Sequence, residues 1–266
     1  MKICVFGAGA IGCAIAARLA AAGFTTAVLA RGAALQAIRA NGVRFEVGGA
    51  TAVGQVAASD DPAALGPQDV VIATVKAHDL PGSAGAIGAL LHARSAVVYA
   101  VNGVPWWYFH GVGGDADGRK IVRLDPVGAL WDEVGVQRAI GCVVNFASSL
   151  AAPGAAHGEG PNNRLTLGEP KGGASARLRE IVAALRTAGF EVDADAPIRR
   201  EVWTKLRRTV ASSTVAALTG LDSGATARDP ALRRTMRAAM QEIAATAAAH
   251  GYPLDDDIDV RLEQQT

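Results

Sequence analysis

Short apolar runs recur along the first part of the chain and alternate with stretches that favour helix. The runs KICVF, TTAVLAR, DVVIATVK and SAVVYAVN begin at Lys2, Thr25, Asp69 and Ser95. Continuous runs of β-branched and aromatic residues are typical of strands that are buried on both faces of a parallel sheet. Because helix-compatible sequence separates each run from the next, the pattern predicts βαβ units.

The pattern changes after Asn102. AIGCVVNFASSL and RLTLGE predict further strands, SARLREIVAALRTAG predicts an amphipathic helix, and FEVDAD predicts a closing strand. From Pro197 onward the periodicity is helical, in IRREVWTKLRRTVASSTVAAL and in PALRRTMRAAMQEIAATAAAH. The sequence therefore predicts an α/β fold: a Rossmann-type doubly wound parallel sheet over residues 1–196, followed by a smaller all-helical domain over residues 197–266.

The first predicted strand runs directly into a glycine-rich turn. The turn consists of Gly7, Ala8, Gly9, Ala10, Ile11 and Gly12. A secretory signal peptide would also combine Lys2, an apolar stretch and small residues, but here the second and third strands continue the pattern without a break. A G-x-G-x-x-G that follows a strand and opens a helix presents backbone N–H groups to the pyrophosphate of a dinucleotide. The turn therefore predicts a dinucleotide site.

The residue after the second strand bears on the choice of cofactor. Sites for NAD usually place an Asp or Glu there to bind the ribose hydroxyls, whereas this chain has Arg31. A guanidinium attracts the 2′-phosphate of NADPH and can bond it in bidentate fashion. An ordinary surface arginine is the alternative, and the sequence favours NADPH.

Three further polar residues are candidates for chemistry. Lys76 and Asn102 end the third and fourth predicted strands, where a doubly wound sheet binds its ligands. Alternatively, Lys76 is a surface lysine and Asn102 a turn former. Lys205 lies on the first helix after the domain boundary, and we expect that helix to face the cleft between the domains.

Composition and charge narrow the class of protein. The 266 residues carry a formal net charge of +1, which predicts binding neither to nucleic acid nor to a membrane. The basic cluster in IRREVWTKLRR is interpreted as a solvated helix face. Cys4, Cys13 and Cys142 have no CxxC spacing, so we expect free buried thiols and a cytoplasmic protein. The histidines lack metal-binding spacing, and no charge-free apolar run reaches the ~18 residues of a membrane span.

Taken together, these motifs resemble the ketopantoate reductase (2-dehydropantoate 2-reductase) family over essentially the whole chain. The resemblance is carried by GAGAIG, Arg31, TVKA, VNGV, RLTLGE, EVWTKL and TVAALTG in this order. It implies an NADPH-binding N-terminal domain and a helical substrate domain. Lys205 then matches the lysine that protonates or polarises the carbonyl oxygen, while Asn102 and Lys76 match residues that contact cofactor and substrate. A cation at the carbonyl stabilises the charge that hydride addition builds on oxygen.

The sequence also departs from the family pattern. Thr209 and Ser213 stand where the family usually offers asparagines to the substrate, so the pocket could fit a different 2-oxoacid. The family usually continues beyond this point with a segment that completes the active site, and we expect the helical domain to be incomplete. Small residues in AATAAAH could form a homodimer face, although burial within one chain explains them as well.

The leading hypothesis is an NADPH-dependent reductase of a 2-oxoacid, with ketopantoate as the first guess. One alternative is a non-catalytic NADP(H)-binding sensor. The other is a related NADP-dependent dehydrogenase that acts on a different hydroxy acid. The aromatic run VPWWYFH could line the substrate or the domain interface, but a core position is at least as consistent with it.

Overall fold

The computed structural model describes residues 1–160 and 162–264. Its contacts divide the chain into two compact units, Met1–Ile198 and Arg199–Thr266. Gln265 and Thr266, which end the predicted helical domain, lie outside the described residues. Over the described ranges, every helix is too short or too polar to cross a lipid bilayer.

Twelve strands are present in the described part of the first unit. They are β1 (Lys2–Phe6), β2 (Thr25–Leu29), β3 (Val43–Val47), β4 (Ala50–Gly54), β5 (Ala57–Ser59), β6 (Gln68–Ala73), β7 (Leu91–Tyr99), β8 (Ala139–Val144), β9 (Ala147–Ala152), β10 (Ala155–Glu159), β11 (Arg164–Gly168) and β12 (Glu191–Asp193). Eight of them form a main sheet in the order β12-β11-β8-β7-β6-β1-β2-β5. Neighbours pair in parallel except β8 and β11, which pair antiparallel. The α/β fold predicted from the apolar runs is confirmed.

The remaining four strands form a second sheet in the order β4-β3-β10-β9, which the sequence analysis did not predict. Between Val43 and Ser59 we had expected helix-compatible sequence, and the chain instead forms β3, β4 and β5. In β3, buried Val43 and Phe45 alternate with exposed Arg44 and Glu46, the pattern of a sheet with one solvated face. AIGCVVNFASSL likewise divides into β8 of the main sheet and β9 of the second sheet.

Helix α1 (Ala10–Ala21) lies between the two sheets. It contacts β1 and β2 of the main sheet and β3, β4, β9 and β10 of the second sheet. Seven of its twelve residues are buried, because apolar and small side chains cover nearly its whole circumference. The other α-helices in the described part of this unit are α2 (Gly32–Asn41), α3 (Pro62–Leu65), α4 (Ala84–Gly88) and α5 (Ala176–Thr187).

The second unit contains the helices α6 (Ile198–Thr219), α7 (Ser223–Arg228), α8 (Pro230–Ala249) and α9 (Ile258–Glu263). The two long helices match the predicted helical periods. Their apolar faces meet that of α9 in a small core of Ala211, Val215, Met236, Met240, Ile258 and Leu262.

The interpretation of the basic cluster on α6 as a solvated face is wrong for two of its members. Arg199 is 5% exposed and Arg207 is 1% exposed. Arg207 Nη2 lies 2.5 Å from Asp257 Oδ1, and Nη1 donates to the carbonyl of Asp255 at 2.7 Å. Arg261 Nε donates to the other oxygen of Asp257 at 2.6 Å. This Arg207 network ties α9 to α6.

Candidate active site

Five neighbouring strands of the main sheet, β5, β2, β1, β6 and β7, end at one level on the sheet edge that carries the site. Phe6 pairs with Leu29 on one side and with Ala73 on the other, Ala73 pairs with Tyr99, and Leu29 pairs with Ser59. From β1 the chain passes through α1 to β2, which lies on one side of β1 in the sheet. The strands β6 and β7 lie on the other side of β1. Open α/β sheets bind ligands at such a switch point, outside the carboxyl ends of the strands.

The glycine turn begins where β1 ends, and its shape requires glycine at two positions. Gly7 has a φ of +110°, a region that side chains with a Cβ rarely adopt. A Cβ on Gly12 would overlap the carbonyl oxygen of Gly7 and lie 2.7 Å from Thr74 Oγ1. Gly12 therefore allows α1 to pack directly against the turn.

Thr74, the residue after β6, holds the turn from the neighbouring strand. Its hydroxyl donates within reach of two carbonyl oxygens, 2.9 Å from that of Gly7 and 3.2 Å from that of Phe6. Its backbone N–H also donates to the carbonyl of Phe6 at 3.0 Å. Sequence reasoning missed Thr74, although its place at a strand end beside Lys76 was a usable signal.

The N-terminus of α1 is available to an anion. Gly9 occupies the N-cap position without a side-chain cap bond, and the first turn of the described helix holds no acidic residue. A Cβ on Gly9 would meet no described atom within 4 Å, so this glycine is not required by packing. Its bare backbone instead leaves open space above the helix end, where N–H groups and the helix dipole favour a phosphate.

A cavity of about 810 Å³ opens beside the start of the glycine turn. Its wall includes Gly7 and Ala8 of the turn, Arg31, and residues that follow β5 and β6. The complete lining is Phe6, Gly7, Ala8, Leu29, Ala30, Arg31, Ala34, Asp60, Val75, His78, Asp79, Gly82, Ser83 and Ala86. The volume lies within the range of small-molecule and cofactor sites. The structure thus brings the glycine turn and Arg31 together in one cavity.

Three acidic or imidazole side chains of this lining were not predicted. His78 and Asp79 follow Lys76, and His78 Nε2 lies 3.6 Å from Asp79 Oδ2. Asp60 follows β5 directly. Because β5 itself was not predicted, its carboxyl end could not be recognised as a candidate position.

Lys76 and Asn102 lie near this cavity but not in its lining. Lys76 is exposed and lies between Val75 and His78, both of which line it. Asn102 lines a separate cavity of about 20 Å³ together with Ala77, Leu80 and Trp106. The segment 75–80 therefore borders both cavities, and it connects the surroundings of Lys76 with those of Asn102.

The aromatic run beside Asn102 belongs largely to the core. Trp106, Trp107 and Tyr108 are each at most 3% exposed. The ring centroids of Tyr99 and Trp106 are 5.3 Å apart in an edge-to-face arrangement. Burial raises the pKa of Tyr99 well above its ordinary value, so its phenol stays protonated.

Lys205, Thr209 and Ser213 lie on α6 in the second unit. Their spacing of four residues puts them on one face of the helix. Lys205 and Thr209 are half-buried, and Ser213 is exposed. Their roles at a substrate stay a prediction.

Cys4 and Cys13 are poor nucleophiles. All three cysteines are free and buried, as predicted. Burial raises the pKa of Cys4 to about 12 and that of Cys13 to about 11. Within residues 1–160 and 162–264, no three His, Cys, Asp or Glu side chains group as a metal site would require.

A mainly parallel sheet with a glycine turn at its switch point defines a Rossmann-type nucleotide-binding protein. The family model described as ketopantoate reductase PanE/ApbA matches residues 3–172, and the model of its C-terminal domain matches residues 197–266. The chain belongs to the ketopantoate reductase family, as the resemblance predicted. It is accordingly an oxidoreductase.

Individual relatives agree with this assignment. A 2-dehydropantoate 2-reductase of Mesorhizobium japonicum is 41% identical over 265 residues, which cover 99% of this chain and 81% of the relative. A structure from Ralstonia solanacearum has a TM-score of 0.94 at 39% identity, covering 99% of this chain and 82% of that one. The PanE/ApbA family ketopantoate reductase of Ralstonia eutropha has a TM-score of 0.80 at 28% identity, with 99% and 80% covered.

Proposed function

We propose that this protein reduces ketopantoate to pantoate with NADPH as the hydride donor. The observation that carries the proposal is the cavity shared by the first residues of the glycine turn and Arg31, directly before the uncapped N-terminus of α1. The turn's backbone and the helix end suit a pyrophosphate, and the guanidinium suits a 2′-phosphate. The 2-dehydropantoate 2-reductase of Mesorhizobium japonicum supports the choice of substrate.

Different residues of the chain bind the cofactor, bind the substrate and donate the proton. When bound, the nicotinamide supplies the hydride. Residues Gly7 to Gly12 hold the pyrophosphate, and Arg31 holds the 2′-phosphate. Lys76 and Asn102 orient the reacting groups, while Thr209 and Ser213 contact the substrate from α6. Lys205 donates a proton to the carbonyl oxygen or polarises it, because hydride addition makes that oxygen negative.

We assign cofactor binding to residues 1–196 and substrate binding to residues 197–266. The buried free thiols support a reducing compartment, so we expect the enzyme to act in the cytoplasm. We also keep the homodimer as a proposal, to be tested by the mass of the protein in solution.

The direct test follows the absorbance of NADPH while the full chain is mixed with ketopantoate and with a panel of other 2-oxoacids. We expect the largest kcat/KM for ketopantoate. The variant Lys205→Ala should lower kcat by about 10²- to 10⁴-fold, the usual contribution of a positioned proton donor. Arg208→Ala removes a positive charge from an exposed position on the same helix and should leave kcat unchanged.

Two results would contradict the proposal. Tight NADPH binding without turnover of any 2-oxoacid would favour the sensor instead. Turnover of another acid in preference to ketopantoate would favour the related dehydrogenase, a result that Thr209 and Ser213 would help to explain.

A further inference from the structure

Asp60 and Arg31 follow the ends of neighbouring strands of the sheet. Leu29 at the end of β2 pairs with Ser59 at the end of β5, and the Ala30 N–H donates to the carbonyl of Ser59 at 3.0 Å. Parallel neighbours lie about 4.8 Å apart, so Asp60 and Arg31, one and two residues beyond this pair, enter the same small region. Both Asp60 and Arg31 line the 810 Å³ cavity.

Neither charge is paired by a salt bridge in the described residues. None of the salt bridges formed by the described residues involves Asp60 or Arg31. Both side chains are exposed. A bound nucleotide would therefore meet a guanidinium and a carboxylate that are each available to it.

The two groups favour different nucleotides. A 2′-phosphate carries a charge of about −1.5 to −2 at neutral pH, which Arg31 attracts and Asp60 repels. A free 2′-hydroxyl is neutral and donates a hydrogen bond, which a carboxylate accepts well. Asp79, a second carboxylate of the lining, lies beside His78 and so differs from Asp60 in having a neighbouring imidazole.

We propose that Asp60 is a specificity-determining residue that opposes Arg31, so that the cavity accepts NADH as well as NADPH. The proposal rests on the proposed function only in that the cavity binds a nicotinamide dinucleotide. In this arrangement Arg31 alone does not determine which cofactor binds, because Asp60, the residue that follows β5, favours the nucleotide with a free 2′-hydroxyl.

The experiment measures binding to the full chain by calorimetry, without turnover. The probes are 2′,5′-ADP and 5′-AMP, which differ by the 2′-phosphate, followed by NADPH and NADH. Asp60→Asn removes the charge and keeps an acceptor oxygen. We expect it to shift the ratio of the two dissociation constants toward 2′,5′-ADP by about tenfold. Asp60→Ala also removes the acceptor and should weaken 5′-AMP as well.

Asp61→Asn is the matched control. It removes the same charge one residue further on, outside the lining, and asparagine keeps the N-cap that Asp61 provides to Ala63 at 2.9 Å. We expect it to change the ratio by less than about twofold, because Asp61 lies outside the lining and solvent screens its exposed carboxylate. An Asp60→Asn ratio within about twofold of the parent, or an equal effect of Asp61→Asn, would overturn the inference.

The same data separate this inference from the proposed function. If both nucleotides bind with the expected shift but no 2-oxoacid is reduced, Asp60 keeps its role and the proposed reaction fails. If the parent chain binds none of the four nucleotides, the dinucleotide site and the role of Asp60 are both wrong.

Discussion

The glycine turn of the first unit and the Arg207 network of the second unit are held by opposite means. The turn depends on the absence of side chains, because Gly12 lets α1 contact the backbone of Gly7. The network depends on charged side chains that are 50 residues apart in sequence, Arg207 and Asp257. In the turn, the absence of side chains leaves backbone N–H groups open to a ligand. In the network, the charged groups bond to one another within the protein. The first arrangement suits binding and the second suits anchoring.

Gly12→Ala should have the largest effect on this contrast. Its Cβ would overlap the Gly7 carbonyl, so α1 must move away from β1, at a cost of about 3 kcal/mol. Nucleotide affinity should fall about 100-fold, because the helix end is displaced. Urea unfolding and calorimetric titration measure the two effects. Gly9→Ala is the control, since its Cβ has open space and should spare stability while weakening binding. Equal loss of stability in the two variants would show that packing does not distinguish the glycines.

Asp257→Ala tests the other side of the comparison. It leaves the buried Arg207 guanidinium without its carboxylate, and we expect a loss of about 2–3 kcal/mol in the free energy of unfolding. Arg207→Met removes the buried charge itself and should cost less, because apolar replacements of buried ions are often tolerated. Urea unfolding followed by circular dichroism gives both values. A larger loss for Arg207→Met than for Asp257→Ala would mean that packing of the side chain, rather than its charge, anchors α9.

Thr74→Val sharpens the comparison at the glycine turn, because it removes a hydroxyl without changing the shape of the side chain. The lost hydrogen bonds to Gly7 and Phe6 should lower the free energy of unfolding by about 1 kcal/mol. Nucleotide binding should weaken by roughly a few-fold, because the turn is held less firmly. Thr74→Ser keeps the hydroxyl and should retain affinity. If valine and serine behave alike in calorimetric titration, the hydroxyl does not hold the turn.

Much of the first unit could be predicted because its signals are local. A continuous apolar run, three glycines and a helix-forming stretch lie within Lys2–Ala22, and each indicates its structure within a few residues. The second sheet was missed because it lacks continuous apolar runs: β3 alternates apolar and charged residues, VRFEV, and β10 consists largely of small residues, AAHGE. Asp60 was missed because β5 was not predicted, and the carboxyl end of a strand can be recognised only after the strand itself is predicted. The burial of Arg207 depends on partners about fifty residues away, which no local pattern reveals.

The smallest expected effect concerns the pH dependence of stability at Glu169. Burial alone would raise the pKa of Glu169, but hydrogen bonds from Arg177 at 2.7 Å and Ser175 at 2.6 Å outweigh burial and lower it. Its stabilising contribution is therefore complete above the unfolded pKa of about 4.3 and is lost as the pH falls through the lower folded value. Glu169→Gln should cost under about 1 kcal/mol at neutral pH.

Thermal unfolding between neutral pH and pH values below about 4.3 measures this effect. The acid decline in stability should be shallower in Glu169→Gln than in the parent chain. Glu180→Gln, at an exposed position on α5, should keep the parent's decline. A decline unchanged by Glu169→Gln would assign the acid sensitivity to other carboxylates.

The position of α1 between two sheets has a consequence for how ligand binding is transmitted. The N-terminal end of α1 follows the turn that lines the cavity, and the same helix packs against β3 and β10. A nucleotide that steadies this end should also slow deuterium uptake by the amides of β3 and β10, although neither strand borders the cavity. The outer sheet would then report occupancy of a pocket that it never touches.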